Sequence, residues 1–418
     1  MIFFARLIDA LRRFSMQVAL SSSAAWPVRL WLLNVGLWLD SGKWIGSLWR
    51  RPNSAALVAQ AIGSRHQLNH LGNMYALPAK TLNASQQIEK QVLENLKQQI
   101  AAPDSIEGYC TSGGTEATIF LLWLARNKMR SQSGQQPVVI TTAFTHYSVT
   151  KAADILSLDV VSVATNPVDY TLSVEALTLV LDKLARSKQT SLAICLTLGY
   201  SSTGGCDNIT AILKLLGRWQ KKYKAQVFAW IDAAGQGLPL LFLDSHTPPF
   251  KSPIIQGYIL DYHKLGTTPL PSGVVLYRNS LRKYIEQPID YLVETDATLL
   301  GSRPGSSALA IWGWIISTSQ SNLRNQYLQL LRRKNEYLTQ LLRQFPKATI
   351  ITHPSTLAAA VVVNHEFPRL SKAIESKFSL HYHTISAQTY SPDTSTFTFT
   401  KIGHYTLHFL YDPMPKIW

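Results

Sequence analysis

The sequence is poor in cysteine and has no long uncharged apolar run, and each shortage excludes a class of protein. Its 418 residues include three cysteines, too few for a disulfide framework. No Cys/His spacing resembles a zinc site, and no apolar run reaches the roughly 18 residues of a membrane-spanning helix. Internal repeats are also missing. These absences predict a globular protein without a metal site, in a reducing compartment and therefore cytoplasmic.

Acidic residues are also scarce, with 25 Asp and Glu against 40 Lys and Arg and a net charge of +15. Such an excess can indicate a nucleic-acid or membrane partner. The basic residues are nevertheless spread along the chain and fit the exposed faces of helices, as in Arg324, Arg332, Arg333, Lys334 and Arg343. We therefore predict no nucleic-acid partner.

The first 51 residues carry five tryptophans, at Trp26, Trp31, Trp38, Trp44 and Trp49. From Phe4 to Phe14 apolar residues recur at helical spacing among charged ones, which predicts an amphipathic helix. Two roles fit this segment: a helical arm packed on a partner subunit, or a peripheral contact with a membrane through residues 1–51. A signal peptide fits less well, because the segment lacks a clean apolar core.

From about Glu107 to Gly273 short apolar runs alternate with helical patterns, which is typical of a mostly parallel sheet with crossover helices. The predicted strands are Val138–Thr141, Val160–Val163, Leu192–Thr197, Val227–Ile231, Tyr258–Leu260 and Gly273–Tyr277. The predicted helices are Ala117–Met129, Val149–Leu156, Val174–Leu184 and Thr210–Tyr223. Ligands of such folds bind in the loops at the carboxyl ends of the strands.

A Leu- and Arg-rich helix is predicted over Ser307–Phe345, and the sequence allows a break near Ser319. β-rich stretches follow at Leu357–Val363, Thr394–Thr400 and Tyr405–Tyr411. We therefore predict three parts: an N-terminal helical arm at 1–60, a large α/β domain at 61–318 and a small α+β domain at 319–418.

The chemistry of the sequence centres on Lys264, which follows Asp261, Tyr262 and His263. A lysine can hold an aldehyde as a Schiff base only if its amine is kept out of bulk water. His263 offers a donor to a phosphate, and the Gly/Pro spacing after Lys264 predicts a rigid turn. A lone His-Lys pair is usually a solvated surface feature, so the interpretation depends on other segments.

Ser112, Gly114 and Thr115 precede or open the helix over Ala117–Met129, and helix N-termini with glycines can bind a phosphate. The Gly-Lys-Ser/Thr ending of a Walker loop is absent. The alternative is an ordinary helix cap with a nearby glutamate.

Asp232 ends a predicted strand, where a carboxylate can keep a pyridine nitrogen protonated and make the ring an electron sink. A helix cap is the alternative for this aspartate. Ala234 would give the ring a flat floor, His146 could cover its other face, and Ser201 offers a hydroxyl. A structural histidine and a simple turn are the corresponding alternatives.

In this order, six segments resemble the pyridoxal-phosphate-dependent group II amino acid decarboxylases, nearest to the histidine and serine decarboxylase branch. They are GYCTSGGTEAT, THYSVTKAA, TLGYSSTGGCDN, WIDAAGQG, DYHKLGTTPLPSG and DATLLGSRPGSSALAIW, within Asn69–Trp314. The resemblance implies the aspartate aminotransferase-like fold of PLP-dependent transferases (fold type I), with a mostly parallel sheet and a small α+β domain. It also implies a homodimer with a shared active site.

The resemblance assigns Lys264 to the internal aldimine, Asp232 to the pyridine nitrogen, and His146 and Ala234 to opposite faces of the ring. It assigns the phosphate and the ring hydroxyl to small polar residues, namely Ser112, Gly114, Thr115, His263 and Ser201. One departure is Asp261, which stands where the family often has Ser or Asn.

Substrate-side residues are also implied by position. Asn69, His70 and Tyr75 resemble the family's substrate-side segment, and Arg303 would bind the substrate carboxylate or brace its loop. Tyr284 and Tyr291 are the candidates for protonating Cα from a mobile loop, often one of the partner subunit.

The function implied is decarboxylation of an L-amino acid to the amine and CO2. One alternative is a carbon–carbon lyase resembling sphingosine-phosphate lyase, which shares a GSRPG-like signature and would act on an amino alcohol phosphate. The other is a non-catalytic relative of the same fold. The substrate side chain is left open, because a few residues of the site decide it.

Overall fold

The structure is a computed structural model that describes residues 26–40, 51–243, 248–289, 294–364, 367–377 and 380–410, with a few positions between 10 and 17. Most of the helix expected over Phe4–Phe14 lies outside the described residues. In these ranges the helices are α1 (Trp26–Asp40), α2 (Ser54–Arg65), α3 (Ala84–Gln99), α4 (Gly114–Ser133), α5 (Ser148–Ile155), α6 (Val174–Arg186), α7 (Ile209–Tyr223), α8 (Gly237–Leu243), α9 (Gly305–Ser317), α10 (Gln320–Gln344) and α11 (Lys372–Lys377).

The strands of the same ranges fall into one large sheet, one smaller sheet and two short pairs. They are β1 (Asn69–His70), β2 (Ile106–Thr111), β3 (Val138–Thr141), β4 (Val160–Ser162), β5 (Ser191–Thr197), β6 (Gln226–Asp232), β7 (Ile255–Asp261), β8 (Gly273–Arg278), β9 (Gln287–Ile289), β10 (Glu294–Asp296), β11 (Arg303–Pro304), β12 (Ile350–Thr352), β13 (Ala358–Val362), β14 (Tyr382–Ser391) and β15 (Thr396–His408).

The large sheet positions the candidate site. Its seven described strands follow the order β2-β8-β7-β6-β5-β3-β4. The strands from β7 to β4 are parallel, and β8 runs antiparallel to both of its neighbours, β7 and β2. The edge strand β2 therefore has the same direction as the parallel strands. Strands β3, β5 and β7 are buried along their whole length, because helices cover both faces of a mainly parallel sheet. The predicted α/β class with a mostly parallel sheet is confirmed.

The predicted strands and helices of the large domain all exist, with ends that differ by a few residues. The edge strand β2 was not predicted. It pairs antiparallel with β8, and Gly108 packs so closely that a Cβ there would lie 2.1 Å from the carbonyl oxygen of Val275. A strand that depends on such close contact with a distant partner has little local signal in the sequence.

The two predicted domain boundaries, at residues 60 and 318, stay predictions, and the helices around them are as follows. The boundary at residue 60 falls inside α2, which packs on α9 where Gly63 meets Ser306 and Gly313 meets Ala55. Small residues at these contacts let the two helices approach closely, so α2 belongs with the large domain. The boundary at 318 lies between α9 and α10, near the break allowed at Ser319. No helix of the described residues is both long and apolar enough to traverse a lipid bilayer.

The small domain is an antiparallel sheet of order β12-β13-β15-β14, packed on α10. The expectation of two separate stretches at Thr394–Thr400 and Tyr405–Tyr411 is wrong, because β15 is one strand over Thr396–His408. Strands β12 and β14 were missed. Much of β14 is exposed, so it lacks the apolar run that marks a buried strand.

Three hydrogen bonds join the small domain to the large one beside the end of β5. The hydroxyl of Thr356 donates to the carbonyl oxygen of Gly204 at 2.9 Å. The hydroxyl of Thr406 donates to the carbonyl oxygen of Ser202 at 2.7 Å. The amide of Leu357 donates to Oε1 of Gln236 at 2.9 Å. The small domain thus holds the loop that follows β5.

Candidate active site

A cavity of about 280 Å³ lies at the carboxyl ends of the parallel strands. Side chains and backbone from loops after β2, β3, β5, β6 and β7 meet there, as this kind of sheet requires. Its lining residues are Ser112, Gly113, Gly114, Thr115, His146, Tyr147, Ser148, Thr197, Gly199, Tyr200, Ser201, Asp232, Ala234, Gly235, Asp261, His263 and Lys264. All nine residues predicted to contact the cofactor are among them.

One end of the cavity is the N-terminus of α4. The residue before the helix is Gly113, with φ 151°, and as a glycine it has no side chain to cap the helix. Gly114 lies against Ala234, since a Cβ on Gly114 would be 3.2 Å from the methyl carbon of Ala234. Glu116 accepts a hydrogen bond from the amide of Ser112 at 2.7 Å, so the capping alternative holds only for that amide. The first amides of α4 are therefore suited to an anion.

Lys264 lies at the same end, beside a buried carboxylate. Its Nζ is 3.2 Å from Oδ2 of Asp261, and Nε2 of His263 is 3.5 Å from the same oxygen. Burial lowers the pKa of His263, although the charge of Asp261 opposes this. Nδ1 of His263 accepts from the amide of Ser272 at 3.3 Å, so the proton of a neutral ring lies on Nε2.

Asp232 and His146 also line the cavity. Asp232 ends β6 and accepts a hydrogen bond from the amide of Ala234 at 3.1 Å, while α8 begins only at Gly237. Nδ1 of His146 lies 2.8 Å from the hydroxyl of Ser148. Burial lowers the pKa of His146, and the charge of Asp232 opposes that shift. The site therefore places an aromatic ring and a carboxylate within one small space.

The loop after β5 forms another wall and carries Ser201 into the cavity. Gly199 has φ 88°, and a Cβ there would be 2.2 Å from Cβ of Gln236, so only glycine fits. The hydroxyl of Tyr200 donates to Oδ1 of Asp207 at 2.8 Å. Burial raises the pKa of Asp207 to about 6, with hydrogen bonds from Thr197 and others opposing it.

Several lining residues had no role in the sequence interpretation: Tyr147, Ser148, Thr197, Gly199, Tyr200, Gly235 and Asp261. The signal that could have identified them is their position next to residues already chosen. Each is adjacent to, or within a few residues of, the end of a predicted parallel strand. The contact between Asp261 and Lys264 is the most important of these omissions.

The structure does not place the predicted substrate-binding residues on this cavity. Nη1 of Arg303 donates to Oε1 of Glu89 at 2.5 Å and to the carbonyl oxygen of Cys110 at 3.1 Å. His70 also lies on Glu89, with 2.6 Å between Nδ1 and Oε2. Both are almost fully buried. Of the two alternatives for Arg303, bracing is the one that the structure provides.

Asn69 and Tyr75 are likewise away from the cavity. The amide of Asn69 donates to the hydroxyl of Ser302 at 3.2 Å on an exposed part of the surface. The ring of Tyr75 lies under Lys90 and Lys97, with Nζ atoms 5.5 and 5.0 Å from its centroid. Neither Asn69 nor Tyr75 therefore lines the cavity of its own chain.

The two tyrosines expected to protonate Cα have separate outcomes. Tyr284 lies at the opposite end of α4, where Gln132 donates to its hydroxyl at 3.0 Å. Gln132 is 18 residues from Gly114, which places Tyr284 about 27 Å from the anion-binding end. Tyr284 therefore does not reach the cavity of its own chain. Tyr291 lies outside the described residues.

Comparison with known proteins shows a family match and several decarboxylase relatives. The family model described as "Pyridoxal-dependent decarboxylase conserved domain" matches residues 57–362. The chain is 27% identical over 289 residues to a tryptophan decarboxylase of Clostridium sporogenes, covering 64% of this chain and 67% of that protein. It is 29% identical over 299 residues to a histidine decarboxylase of Vibrio campbellii, covering 70% and 71%.

Solved structures show the same fold. An L-methionine decarboxylase from Streptomyces sp. 590 superimposes with a TM-score of 0.74 at 17% identity, covering 93% of each chain. A sphingosine-1-phosphate lyase from Burkholderia pseudomallei has a TM-score of 0.67 at 15% identity, covering 93% of this chain and 87% of the lyase. At these identities the likeness concerns the fold alone.

Proposed function

The chain belongs to the pyridoxal-dependent decarboxylase family, and from this premise we propose that the cavity around Lys264 is its active site. As a member of that family, the protein is a carboxy-lyase that uses pyridoxal phosphate to decarboxylate an amino acid. The single observation that carries the proposal is that Lys264, Asp232, His146 and the N-terminus of α4 line one cavity.

The donor set of the cavity fits pyridoxal phosphate. The uncapped start of α4, with Gly114 and Thr115, offers amides and a hydroxyl to a phosphate, beside His263. Asp232 offers a carboxylate to a ring nitrogen, and Ser201 offers a hydroxyl to the ring oxygen. Lys264 supplies the amine that would hold the aldehyde.

The chain's own residues have distinct tasks in this proposal. Bound pyridoxal phosphate supplies an electron sink for the pair left when the carboxylate departs. Asp232 would keep a proton on the ring nitrogen through its negative charge. His146, which burial keeps neutral near pH 7, would cover one ring face without adding a positive charge. Ala234 would leave room for the other face.

The lyase alternative has less support. The observation in its favour is that the Burkholderia lyase shares the fold of this chain. At 15% identity that likeness carries no information on the reaction. The family model and the decarboxylase relatives both favour release of CO2 instead.

We further propose a cytoplasmic homodimer. Three cysteines in 418 residues suit a reducing compartment. Apolar side chains exposed on α2, Leu57, Val58 and Ile62, suit a partner subunit. Trp31 on α1 is 63% exposed and could serve the same interface or a membrane surface. Sedimentation of the full chain with and without anionic vesicles separates these two uses.

The test of the proposed function is spectroscopic and chemical. The full chain, purified with pyridoxal phosphate, should show the visible absorbance of lysine-bound cofactor and release CO2 from an L-amino acid. Lys264→Ala should lose both, whereas Lys221→Ala, on the exposed face of α7, should keep both. Aldehyde release from a phosphorylated amino alcohol without CO2 would select the lyase instead. No cofactor absorbance in the folded wild type would refute both reactions.

A further inference from the structure

We propose that Lys334 is a positioning residue for the proposed active site, because its ammonium group fixes a turn of the small domain that supports two walls of the cavity. The inference rests on the proposed function only for what the cavity holds. Lys334 itself does not line the cavity, so its effect there would pass through other residues. Two successive sets of hydrogen bonds lead from its Nζ to the cavity walls.

Lys334 is fully buried in the middle of α10, so its expected place on an exposed helix face is wrong. Its Nζ donates to the carbonyl oxygens of His353 and Thr356, each at 2.7 Å. Two further oxygens, Oγ1 of Thr352 and the carbonyl oxygen of Pro354, lie at 3.3 and 3.4 Å. Burial lowers the pKa of Lys334 to about 8, so at pH 7 the group is an ammonium with protons to donate to this cluster of oxygens.

Stability alone does not account for a lysine at this position. Its partners are mainly backbone carbonyls, and no carboxylate of the described residues pairs with it. Burying an ammonium is costly, and apolar residues of similar volume often replace buried charges without loss of stability. What the ammonium adds is geometry, because its donors converge on one turn, 352–356, between β12 and β13. Lys334 therefore specifies the shape of that turn.

The same turn contacts two walls of the cavity. Oγ1 of Thr356 donates to the carbonyl oxygen of Gly204 at 2.9 Å, in the loop after β5. The next amide, that of Leu357, donates to Oε1 of Gln236 at 2.9 Å. Gln236 directly follows Gly235, which lines the cavity. One turn of the small domain thus holds the loop after β5 and the segment after β6 at the same time.

Each of these walls carries a residue proposed to contact the cofactor. In the loop after β5, the amide of Gly204 donates to the carbonyl oxygen of Tyr200 at 2.7 Å, and the amide of Tyr200 donates to that of Gly205 at 2.8 Å. Ser201 lies inside this closed loop and lines the cavity, and the segment after β6 contributes Ala234. A displaced turn would therefore change the positions of a hydroxyl and a ring-facing methyl group together.

Hydrogen–deuterium exchange of the full chain without cofactor, at pH 7, tests the connection directly. Lys334→Met keeps an unbranched side chain but removes the charge. We expect exchange in the segment 199–206 to become about tenfold or more faster, the effect of losing a hydrogen bond to a charged group.

Leu338→Ala is the matched control, since Leu338 lies one helical turn further along α10, in the core of the small domain. It should lower the urea midpoint but leave exchange in 199–206 within about twofold of the wild type, because that segment opens locally. Unchanged exchange in Lys334→Met, or equal acceleration in both variants, would overturn the inference.

Cofactor capture gives a second readout. The apparent affinity for a ligand falls with the fraction of molecules in which its site is in place. Lys334→Met should therefore need about tenfold more pyridoxal phosphate for half-maximal visible absorbance, whereas Leu338→Ala should match the wild type. Equal requirements of Lys334→Met and wild type would mean that the walls keep their positions without the ammonium.

A second variant keeps the proposal testable if Lys334→Met does not fold. Thr356→Val removes the hydroxyl that reaches Gly204 but leaves the lysine and its carbonyl partners in place. Exchange in 199–206 should rise. The amide at position 356, which donates to the carbonyl oxygen of His353 at 3.3 Å, should stay protected because Lys334 still holds the turn. Loss of protection in both segments alike, or in neither, would contradict the proposal.

The outcomes for the inference and for the proposed function are separable, because exchange is measured without cofactor. Faster exchange in Lys334→Met, in a protein that neither shows cofactor absorbance nor releases CO2, supports the connection and refutes the proposed function. A protein that releases CO2, and whose exchange in 199–206 is the same in Lys334→Met and wild type, does the reverse.

Discussion

Arg303 and Glu89 form a buried ion pair, with 2.5 Å between Nη1 and Oε1, that joins β11 to α3. Burial alone would raise the pKa of Glu89, but the charge of Arg303 and a hydrogen bond from His70 outweigh it and lower that pKa to about 2. The guanidinium also lies 4.9 Å from the ring centroid of Tyr109. Arg303 is thus held on several sides by its own chain.

Replacing Arg303 should therefore reduce stability more than substrate affinity. Arg303→Met leaves Glu89 as a buried carboxylate without its cation, which costs about 3–5 kcal/mol. Urea unfolding measures the loss. Arg333→Met removes the cation of an exposed pair with Glu336 and should cost about 1 kcal/mol or less. A rise in KM for Arg303→Lys at unchanged stability would restore the substrate-binding role.

Asp232→Asn should separate cofactor binding from catalysis. The amide keeps the size of the side chain but removes the charge proposed to hold a proton on the ring nitrogen. We expect visible cofactor absorbance to persist while CO2 release falls about 100-fold or more. Asp159→Asn serves as the surface control. Equal rates for Asp232→Asn and wild type would mean that the charge is not used in the reaction.

Gly199 lies in the wall of the cavity, and Gly134, at the far end of α4, is a matched control for it. Both have positive φ, 88° and 71°, so alanine adds backbone strain of about 1–3 kcal/mol at either position. At Gly134 no described atom lies within 4 Å of the new Cβ, whereas at Gly199 Gln236 is 2.2 Å away. Gly199→Ala should therefore unfold at lower urea than Gly134→Ala. It should also slow cofactor capture, and equal midpoints would contradict the packing argument.

His404 makes the small domain sensitive to acid. Burial, aided by the charge of His383, lowers the pKa of His404 from 6.5 to about 4. Neither ring nitrogen has a hydrogen-bond partner in the described part of the chain. The unfolded chain thus takes up a proton near pH 6.5 that the folded chain accepts only near pH 4. Stability is complete above pH 6.5 and is lost as the pH falls towards 4.

His404→Leu should remove this dependence. The wild type should lose about 3 kcal/mol more than the variant between pH 7 and pH 4, measured by urea unfolding at each pH. His66→Leu, at an exposed histidine, should follow the wild type. Parallel pH profiles for wild type and His404→Leu would show that the ring is protonated in the folded state as readily as in the unfolded one.

The parts predicted best from the sequence are those whose signal is local. Strands such as Leu192–Thr197 are buried on both faces and appear as continuous apolar runs. Their carboxyl ends meet at one edge of the sheet, so the residues after them can be assigned to a common site from the sequence alone. Lys264, Asp232 and His146 do line one cavity for this reason.

The parts that could not be predicted depend on distant partners. Glu89, in the middle of α3, decides the environments of both His70 and Arg303, and Arg303 is 214 residues away along the chain. No local pattern indicates such a pairing. Similarly, β14 and the extent of β15 depend on pairing between two half-exposed strands, whose alternation of polar and apolar residues is weak.

The hydrogen bonds from Thr356 and Thr406 to the loop after β5 have a consequence for how such a chain can change. A substitution of Thr356 or Thr406 would change the support of the loop that forms one wall of the cavity, although neither threonine lines the cavity itself. Recombination between relatives at the boundary near residue 318 would separate the loop at 199–206 from the strands that hold it. We therefore expect productive exchange to require that both domains are transferred together.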